Sequence, residues 1–447
     1  MYARSIYPIS YGNETLEFQD NEGRVIFYAQ AGQASPLPDP DALIENALSG
    51  PIGCPPLEAL VKPEDTVAII IDDITRPTPR QRLLRAVTTR LAGITGIRIT
   101  LILALGTHRP MTQEEIETDL GEFAAKYPVV NISYTEEERF STVGEMPDGT
   151  PIRVYKEILE ADVLIGLGNI VPHIAAGWGG GAKIIMPGVC GKQTTDGIHI
   201  LSCLDQNVVE TSGNADNVFR KAMEELAGKV GLSFIVNTVL DENRNILGVF
   251  AGHYIAAHRE GVRFAQQALC PLIPDRADIL IISANPAHAD FWQGAKPYVF
   301  ALHAVKRGGV MILLLSAVEG LCGCAPAHEE AMRNYYAGSE EEIRSALQQG
   351  NIKDVLGLAE AFIRLQTAGF CHTLLVSDGL TEEDARLLGF EKVPDLDTAV
   401  KLALQRMGPD ASIGIIPQGG DILCRVASED ERGSFGRICT DGDGYPR

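Results

Sequence analysis

Thr66-Val-Ala-Ile-Ile-Ile-Asp72 is an unbroken apolar run that ends in a carboxylate. A run of this length, rich in Ile, is typical of a strand buried on both faces of a parallel sheet. The runs Ile97–Leu105 and Asp162–Gly166 have the same character, and a helix is predicted after the first run, at residues 80–92. This alternation of strand and helix predicts an α/β fold with largely parallel sheets.

The second half of the chain repeats the pattern, which predicts a second parallel sheet. Its apolar runs are Ala277–Ala284, Gly309–Ser316 and His372–Ser377. Between the halves, Cys270-Pro-Leu-Ile-Pro274 interrupts a predicted helix, because proline cannot continue one. We therefore predict two α/β domains, residues 1–271 and 272–447, with an active site in the cleft between them. The second domain is expected to close over the substrate.

The amino-acid composition limits the kinds of molecule that the protein is expected to bind. The 447 residues include 38 Lys and Arg against 59 Asp and Glu, a net charge of −21, which argues against nucleic acids and anionic membrane surfaces. The chain has no apolar run long enough to span a membrane, and its first residues lack the apolar core of a signal peptide. The nine cysteines include no C-x-x-C pair. These features predict a reducing, cytoplasmic location.

Polar side chains follow each of the three apolar runs in the first half. Arg76 follows the first run, His108 the second and His173 the third. The carboxyl ends of parallel strands are where α/β sheets bind ligands, so we expect the three side chains to lie on one side of the sheet. An arginine and two imidazoles suit an anionic substrate and proton transfer near neutral pH.

A glycine-rich stretch, His173–Gly191, begins at the third strand end. It contains Gly179, Gly180 and Gly181, which would let the backbone approach a phosphate or a flat cofactor closely. Lys183 follows at once and could anchor a cofactor through an amide or imine bond. His199, further on, could be a single metal ligand whose companions come from the cofactor.

Several functions remain open from the residues alone. Two histidines from different strand ends could stand on opposite faces of one carbon, which suits a racemase, an epimerase or a dehydrogenase-like enzyme. One alternative is a protein that binds or senses a small acidic or nucleotide-like ligand without turnover. Another is a metal-independent sugar-acid isomerase or dehydratase with Lys183 as a Schiff-base lysine.

The same residues resemble the nickel-pincer nucleotide-dependent lactate racemase family. The stretches that carry the resemblance span both predicted domains: Asp72-Asp-Ile-Thr-Arg-Pro-Thr-Pro79, Gly106-Thr-His-Arg-Pro-Met-Thr112, Pro172-His173, Gly179-Gly-Gly-Ala-Lys183-Ile-Ile-Met-Pro-Gly188, His199 and Trp292-Gln293-Gly-Ala-Lys296. The resemblance implies a racemase or epimerase of a 2-hydroxy acid. Its cofactor would be nickel(II) pyridinium-3,5-bisthiocarboxylic acid mononucleotide, the nickel-pincer nucleotide, loaded by separate biosynthesis proteins.

The resemblance also implies a role for each matching residue. Lys183 would bond the cofactor covalently, His199 would ligate nickel, and His108 and His173 would be the two catalytic bases. The remaining cofactor contacts would be Asp72, Asp73, Thr75, Arg76, Gly180, Gly181, Pro187, Gly188 and Gln293. Arg76, Lys296, Trp292 and Gln293 would contact the substrate. The chain departs from the lactate enzymes at Trp292, where they carry a tyrosine, so the expectation is a small 2-hydroxy acid; a homo-oligomer is possible.

Overall fold

The computed structural model describes residues 5–31, 37–146, 149–204, 207–323, 326–349, 352, 354–428 and 431. The strands are β1 Ser5–Tyr11, β2 Glu14–Asp20, β3 Val25–Tyr28, β4 Thr66–Asp72, β5 Arg98–Ala104, β6 Val129–Val130, β7 Phe140–Glu145, β8 Pro151–Tyr155, β9 Val163–Asn169, β10 Pro172–His173, β11 Gly177–Trp178, β12 Leu232–Leu240, β13 Ile246–Gly252, β14 Leu272–Ile273, β15 Ala277–Ser283, β16 Val305–Leu314, β17 His372–Val376, β18 Glu391–Val393, β19 Ile413–Ile416 and β20 Arg425–Val426.

Helices alternate with most of the long strands. They are α1 Pro40–Ser49, α2 Leu57–Leu60, α3 Arg80–Leu91, α4 Gln113–Leu120, α5 Glu122–Lys126, α6 Lys156–Leu159, α7 Lys192–Leu204, α8 Val208–Thr211, α9 Val218–Val230, α10 Ala256–Leu269, α11 Phe291–Ala301, α12 Glu329–Tyr335, α13 Glu340–Gln349, α14 Val355–Thr367, α15 Glu382–Leu388 and α16 Leu396–Met407. No helix in the described part of the chain is both long enough and apolar enough to cross a membrane.

The chain divides into two compact units. The central unit comprises Gln33–Ser202 and Gly213–Ala268, and the terminal unit comprises Met1–Gly32, Cys203–Ser212 and Leu269–Arg447. The last of the four boundaries between the units along the chain, at Leu269, lies close to the predicted boundary between residues 271 and 272. The predicted assignment of residues 1–271 to one domain differs from this division at Cys203–Ser212 and at the N-terminus, where β3 pairs in parallel with β19 of the terminal unit.

The central unit is built on a six-stranded sheet of order β13-β12-β9-β4-β5-β6. All neighbours are parallel except β12 and β13. Strand β4 lies in the middle of this sheet, and Ile69, Ile70 and Ile71 are fully buried. Both faces of the strand are covered, as the continuous apolar run predicted.

The terminal unit contains a second six-stranded sheet, of order β18-β17-β16-β15-β19-β3, in which every pair is parallel. The β1–β2 hairpin contributes Tyr7, Ile9 and Phe18 to the apolar core on one side of this sheet. Two α/β units with largely parallel sheets confirm the predicted fold class. The loop that follows the carboxyl end of β4 carries the first residues of the candidate site.

Candidate active site

The loop after β4 is held in place by a buried arginine. Arg80, at the start of α3, is 5% exposed and donates through Nε to the Asp72 carbonyl at 2.7 Å. The same guanidinium bonds the carbonyls of Asp73 and Arg76 and forms an ion pair with Asp119 of α4 at 2.7 Å. Arg80 therefore ties the loop backbone to two helices, although the sequence alone did not single it out.

Asp73 and His108 form the closest pair of candidate catalytic groups. His108 Nδ1 lies 2.5 Å from Asp73 Oδ2, while Asp73 Oδ1 accepts hydrogen bonds from the Thr75 amide and hydroxyl at 3.0 and 2.5 Å. Asp73 is 3% exposed, whereas the His108 side chain is 41% exposed. A carboxylate on Nδ1 favours a proton there and leaves Nε2 of the neutral ring as the proton acceptor.

The pKa values of the adjacent Asp72 and Asp73 carboxyl groups are shifted in opposite directions. Burial raises the pKa of Asp72 to about 6, and the nearby Arg80 charge and the hydrogen bond from Thr78 oppose that rise only in part. Burial also acts on Asp73, but its bonds to His108 and Thr75 lower the pKa to about 2. Near neutral pH Asp73 is a fixed negative charge, while Asp72 changes protonation close to the working range.

Lys183 lies within electrostatic range of this loop. Burial, followed by the positive charges of Arg76 and Arg220, lowers the pKa of Lys183 to about 7, and Asp73 and Asp72 act in the opposite direction. A substantial fraction of this lysine is therefore an uncharged amine at neutral pH, which is the nucleophilic form. The structure thus groups Lys183 with Asp72, Asp73 and Arg76.

The loop after β5 meets the glycine-rich stretch. The amide of Gly106 donates to the Gly188 carbonyl at 3.0 Å, and a side chain at Gly106 would be in contact with Pro187. Lys183 lies on a 3₁₀ turn, Gly181–Ile184, and its carbonyl accepts from the Gly188 amide at 3.4 Å. The predicted cofactor residues Lys183, Pro187 and Gly188 are thus adjacent to the strand end that carries His108.

Gly180 and Gly181 are required by the protein's own packing. Their φ angles are +73° and +59°. A Cβ would lie 2.8 Å from Asn237 Oδ1 at Gly180 and 2.8 Å from the His258 ring at Gly181. The close approach of Asn237 and His258 accounts for both glycines, and the contact of their backbone with a cofactor stays a prediction.

Three residues that the sequence analysis did not select hold the glycine-rich stretch. Arg220 of α9, fully buried, donates to the carbonyls of Trp178, of Gly180 at 3.0 Å and of Ala176 at 3.3 Å. Asn237 Oδ1 accepts from the Gly181 amide at 2.8 Å, and His258 Nε2 lies 2.9 Å from the Gly179 carbonyl. Burial and the neighbouring arginines keep the pKa of His258 well below its usual range, so the ring is neutral.

His173 occupies a short antiparallel pair. It lies opposite Gly177 in the β10–β11 ladder, and its Nδ1 accepts from the Ala176 amide at 3.1 Å. A ring nitrogen that accepts a hydrogen bond carries no proton, so the proton of the neutral ring is on Nε2. His173 and His108 are therefore held in opposite tautomers.

His199 has the hydrogen bond expected of a metal-binding imidazole. Its Nδ1 lies 2.6 Å from the Thr195 carbonyl one turn earlier in α7, so Nδ1 donates and Nε2 presents a lone pair. Within the described residues, no group of three or more His, Cys, Asp or Glu side chains is placed to hold a metal ion. Asp72 Oδ1 is buried and accepts no hydrogen bond from any described residue, although Arg80 Nε lies 3.4 Å from it in an ion pair.

The remaining predicted residues lie in the terminal unit, on α11. Lys296 forms an ion pair with Asp421, and Gln293 is an exposed residue in the first turn. Trp292 stacks on His328 with ring centroids 4.2 Å apart and an interplanar angle of 20°. His328 is in turn held by Asp354, whose Oδ2 is 2.7 Å from Nδ1.

Together, the strand-end loops of the central unit place a carboxylate–imidazole pair and a lysine with a lowered pKa in an α/β protein. Residues 11–212 match the lactate racemase N-terminal domain family. The lactate racemase of Lactiplantibacillus plantarum is 29% identical over 86% of this chain and 90% of its own length. That of Thermoanaerobacterium thermosaccharolyticum is 27% identical over 93% of this chain and 98% of its own length.

Solved structures agree with this relationship. The lactate racemase apoprotein of T. thermosaccharolyticum superimposes with a TM-score of 0.83 at 25% identity, covering 95% of this chain and all of that one. A protein from Thermotoga maritima, 19% identical and with a TM-score of 0.66, shares the fold over 88% of this chain. Residues 11–212 thus match the lactate racemase N-terminal domain family, and the chain is similar to lactate racemases over most of its length. The resemblance predicted from the motifs is confirmed, and this homology supports a racemase.

Proposed function

We propose that this protein is a racemase or epimerase of a small 2-hydroxy acid. The observation that carries the proposal is the Asp73–His108 pair at 2.5 Å, next to a lysine whose pKa is lowered to about 7. A charged carboxylate on Nδ1 makes Nε2 of His108 a suitable base for the substrate hydroxyl proton. The names of the two relatives point to lactate as the first substrate to test.

The cofactor that we propose is the nickel-pincer nucleotide, because three features suit it. Lys183 offers a partly uncharged amine for covalent attachment, His199 offers an Nε2 lone pair for nickel, and Asp72 offers a buried oxygen without a hydrogen bond. When bound, this group would supply an acceptor that takes the substrate Cα hydrogen with its electron pair and returns it. The other proposed contacts are Asp73, Thr75, Arg76, Gly180, Gly181, Pro187, Gly188 and Gln293.

The chain's own residues would handle protons and the substrate carboxylate. His108 would take the hydroxyl proton on one face of the substrate, and His173 would serve the opposite face. The neutral ring of His173 carries its proton on Nε2, so Nε2 can act as a base only after the proton moves to Nδ1 and the hydrogen bond from Ala176 is broken. Nε2 of His108 needs no such change. We propose Arg76 and Lys296 as carboxylate partners, with Trp292 and Gln293 as further substrate contacts.

The test is chiral analysis of reaction mixtures. The chain is co-produced with the biosynthesis proteins of the cofactor and incubated with pure D- or L-lactate, and then with larger 2-hydroxy acids. We expect both enantiomers to approach equal amounts, and His108→Ala or His173→Ala to remove most of the rate. Near-normal racemisation in both variants would contradict the assigned roles, while a mass adduct and nickel lost in Lys183→Ala would support the cofactor.

A second candidate is favoured by the same lowered pKa of Lys183. An uncharged buried lysine is also what a Schiff-base enzyme needs, as in a sugar-acid isomerase or dehydratase. Borohydride would then trap a carbonyl substrate on Lys183, and activity would be independent of nickel. Nickel-dependent racemisation without trapping would exclude this candidate.

A further inference from the structure

The terminal unit contains a partly enclosed cavity of about 160 Å³ that none of the proposed catalytic groups uses. Four aromatic rings line it: Phe291 and Tyr298 of α11, Tyr336 and Phe390. The ring centroids of Phe291 lie 6.3 Å from Tyr336 and 6.0 Å from Phe390, both edge-to-face, and Tyr298 is 5.0 Å from Phe390. An apolar cavity of about this size holds a ligand of roughly six to nine non-hydrogen atoms.

Two polar groups on α14 line the same cavity. Glu360 Oε2 is shielded from solvent and has no hydrogen-bond partner in the described chain. Arg364 lines the cavity one turn later, and no described carboxylate lies within ion-pair distance of it. Residues four apart on a helix are neighbours, with about 5–6 Å between Cβ atoms, so both side chains leave the same face of α14 and line the same cavity without an ion pair between them.

This arrangement has the chemistry of a small-molecule site more than that of a packing void. A buried carboxyl oxygen without a partner is costly, because its hydrogen bond to water is not replaced. Burial also raises the pKa of Glu360 to about 7. A guanidinium binds a carboxylate with charge-assisted hydrogen bonds, and a neighbouring carboxyl binds a donor group close to that carboxylate.

We propose that this cavity binds a small carboxylic acid that carries a hydroxyl or amino group on C2 and a branched apolar side chain. Arg364 takes the carboxylate, Glu360 takes the C2 donor, and the aromatic rings enclose the side chain. Two sources share this chemistry, 2-hydroxy acids and 2-amino acids. If the ligand is a 2-hydroxy acid, the cavity is a second binding site for the proposed substrate class. If it is a 2-amino acid, the cavity is a regulatory site for another class of metabolite.

The position of α11 gives the site a consequence, which rests on the proposed function. The residues of α11 that line the cavity fall on one face of this helix, at positions i, i+4, i+7 and i+8: Phe291, Ala295, Tyr298 and Val299. Trp292, Gln293 and Lys296 fall on the adjoining face. A ligand that fills the cavity contacts one face of α11 and restricts the movement of this helix. Because the proposed substrate residues lie on the adjoining face, the ligand changes the affinity of the proposed active site for its substrate.

Binding is tested first, on the full chain without cofactor, by calorimetry with L-leucine and L-2-hydroxyisocaproate. 4-Methylpentanoate has the same carbon skeleton without the C2 donor. We expect at least one of the two probes to bind at least tenfold more tightly than 4-methylpentanoate, and Arg364→Gln or Glu360→Leu to weaken it about tenfold or more. Ala295→Leu, which fills the cavity, should abolish binding while circular dichroism shows a folded protein.

Arg76→Gln is the matched control, because it alters a proposed substrate residue and leaves the cavity intact. Binding lost in Arg76→Gln but kept in Arg364→Gln and Ala295→Leu would overturn the proposal, as would no binding of either probe or equal binding of 4-methylpentanoate. In the loaded enzyme, a saturating probe should change KM for the substrate at least threefold, and this change should vanish in Ala295→Leu. Racemisation without binding to the cavity would contradict this proposal and leave the proposed function intact. Binding to the cavity without racemisation would contradict the proposed function and leave the cavity site intact.

Discussion

Asp73 is the residue on which the proposed base depends. It is 3% exposed, its pKa is lowered to about 2, and its Oδ2 is 2.5 Å from His108 Nδ1. A group with a lowered pKa contributes stability above its unfolded value of 3.8 and loses it as the pH falls towards 2. Above pH 4, therefore, the carboxylate is a permanent partner of the imidazole and fixes its tautomer.

Asp73→Asn should preserve the fold and remove most of the racemase activity. An asparagine can present its amide to Nδ1, which favours the tautomer with the proton on Nε2 and removes the base. We expect the rate to fall about 10²–10⁴-fold, the usual range for general acid–base catalysis. The assay is chiral chromatography on the loaded enzyme, with Glu225→Gln, an exposed change on α9, as control. An Asp73→Asn rate within threefold of the parent would show that His108 does not need this carboxylate.

Lys183 should react with amine reagents at a lower pH than exposed lysines do. Its pKa is lowered to about 7 from 10.5, so the uncharged amine predominates above pH 7 and the ammonium below it. We expect the labelling rate of Lys183 in the cofactor-free chain to reach half its maximum near pH 7, measured by peptide mass spectrometry. Exposed Lys401 in the same sample is the internal reference. Parallel pH profiles for the two lysines would contradict the assignment.

At the scale of elements, the glycine-rich stretch depends on α9. Arg220 reaches across from this helix and bonds three carbonyls of residues 176–180, while Asn237 of β12 and His258 of α10 bond the same stretch. The loop that carries Lys183 is thus anchored by three separate elements. Its shape is set by the surrounding protein before any cofactor is attached.

Arg220→Met should destabilise the protein and loosen this loop. The change leaves three carbonyls without their donor in a buried place, so we expect the free energy of unfolding to fall by about 3 kcal/mol. Denaturant unfolding measures the loss, and hydrogen exchange should rise at residues 176–185. Arg220→Lys keeps the positive charge but has fewer hydrogen-bond donors. Its free energy of unfolding should therefore lie between those of the parent and Arg220→Met. Unchanged stability in Arg220→Met would mean that water replaces the guanidinium at little cost.

For the whole molecule, the sequence predicted the local elements well and the long-range ones poorly. The apolar runs located β4, β5 and β15, because burial on both faces of a parallel strand requires such runs. His108 was correctly placed at a strand end. Arg220 was missed, because its role depends on carbonyls some 40 residues away. The pairing of β3 with β19 was missed too, because nothing local in a four-residue strand specifies a partner so distant in sequence.

Removal of residues 1–31 should damage the terminal unit and spare the central one. It exposes the edge of β19 and deletes Gly12, whose amide and carbonyl bond Asn285 at 3.1 and 2.7 Å. We expect earlier unfolding of the terminal unit in limited proteolysis, with protected fragments that end near residue 268. A synthetic peptide of residues 5–31 should restore resistance. Uniform resistance of both units after the deletion would contradict the role of β3.

The pairing of β3 with β19 must wait until almost the whole chain has been synthesised. Tyr28 leaves the ribosome roughly 385 residues before Ile413, and at about 5–20 residues per second this amounts to some 20–80 s. Until the end of that interval the nascent terminal sheet lacks β19, the strand between β3 and β15, whereas all strands of the central sheet have emerged by Gly252. The central unit can therefore begin to fold on the ribosome, whereas β3 has no partner strand until β19 is synthesised.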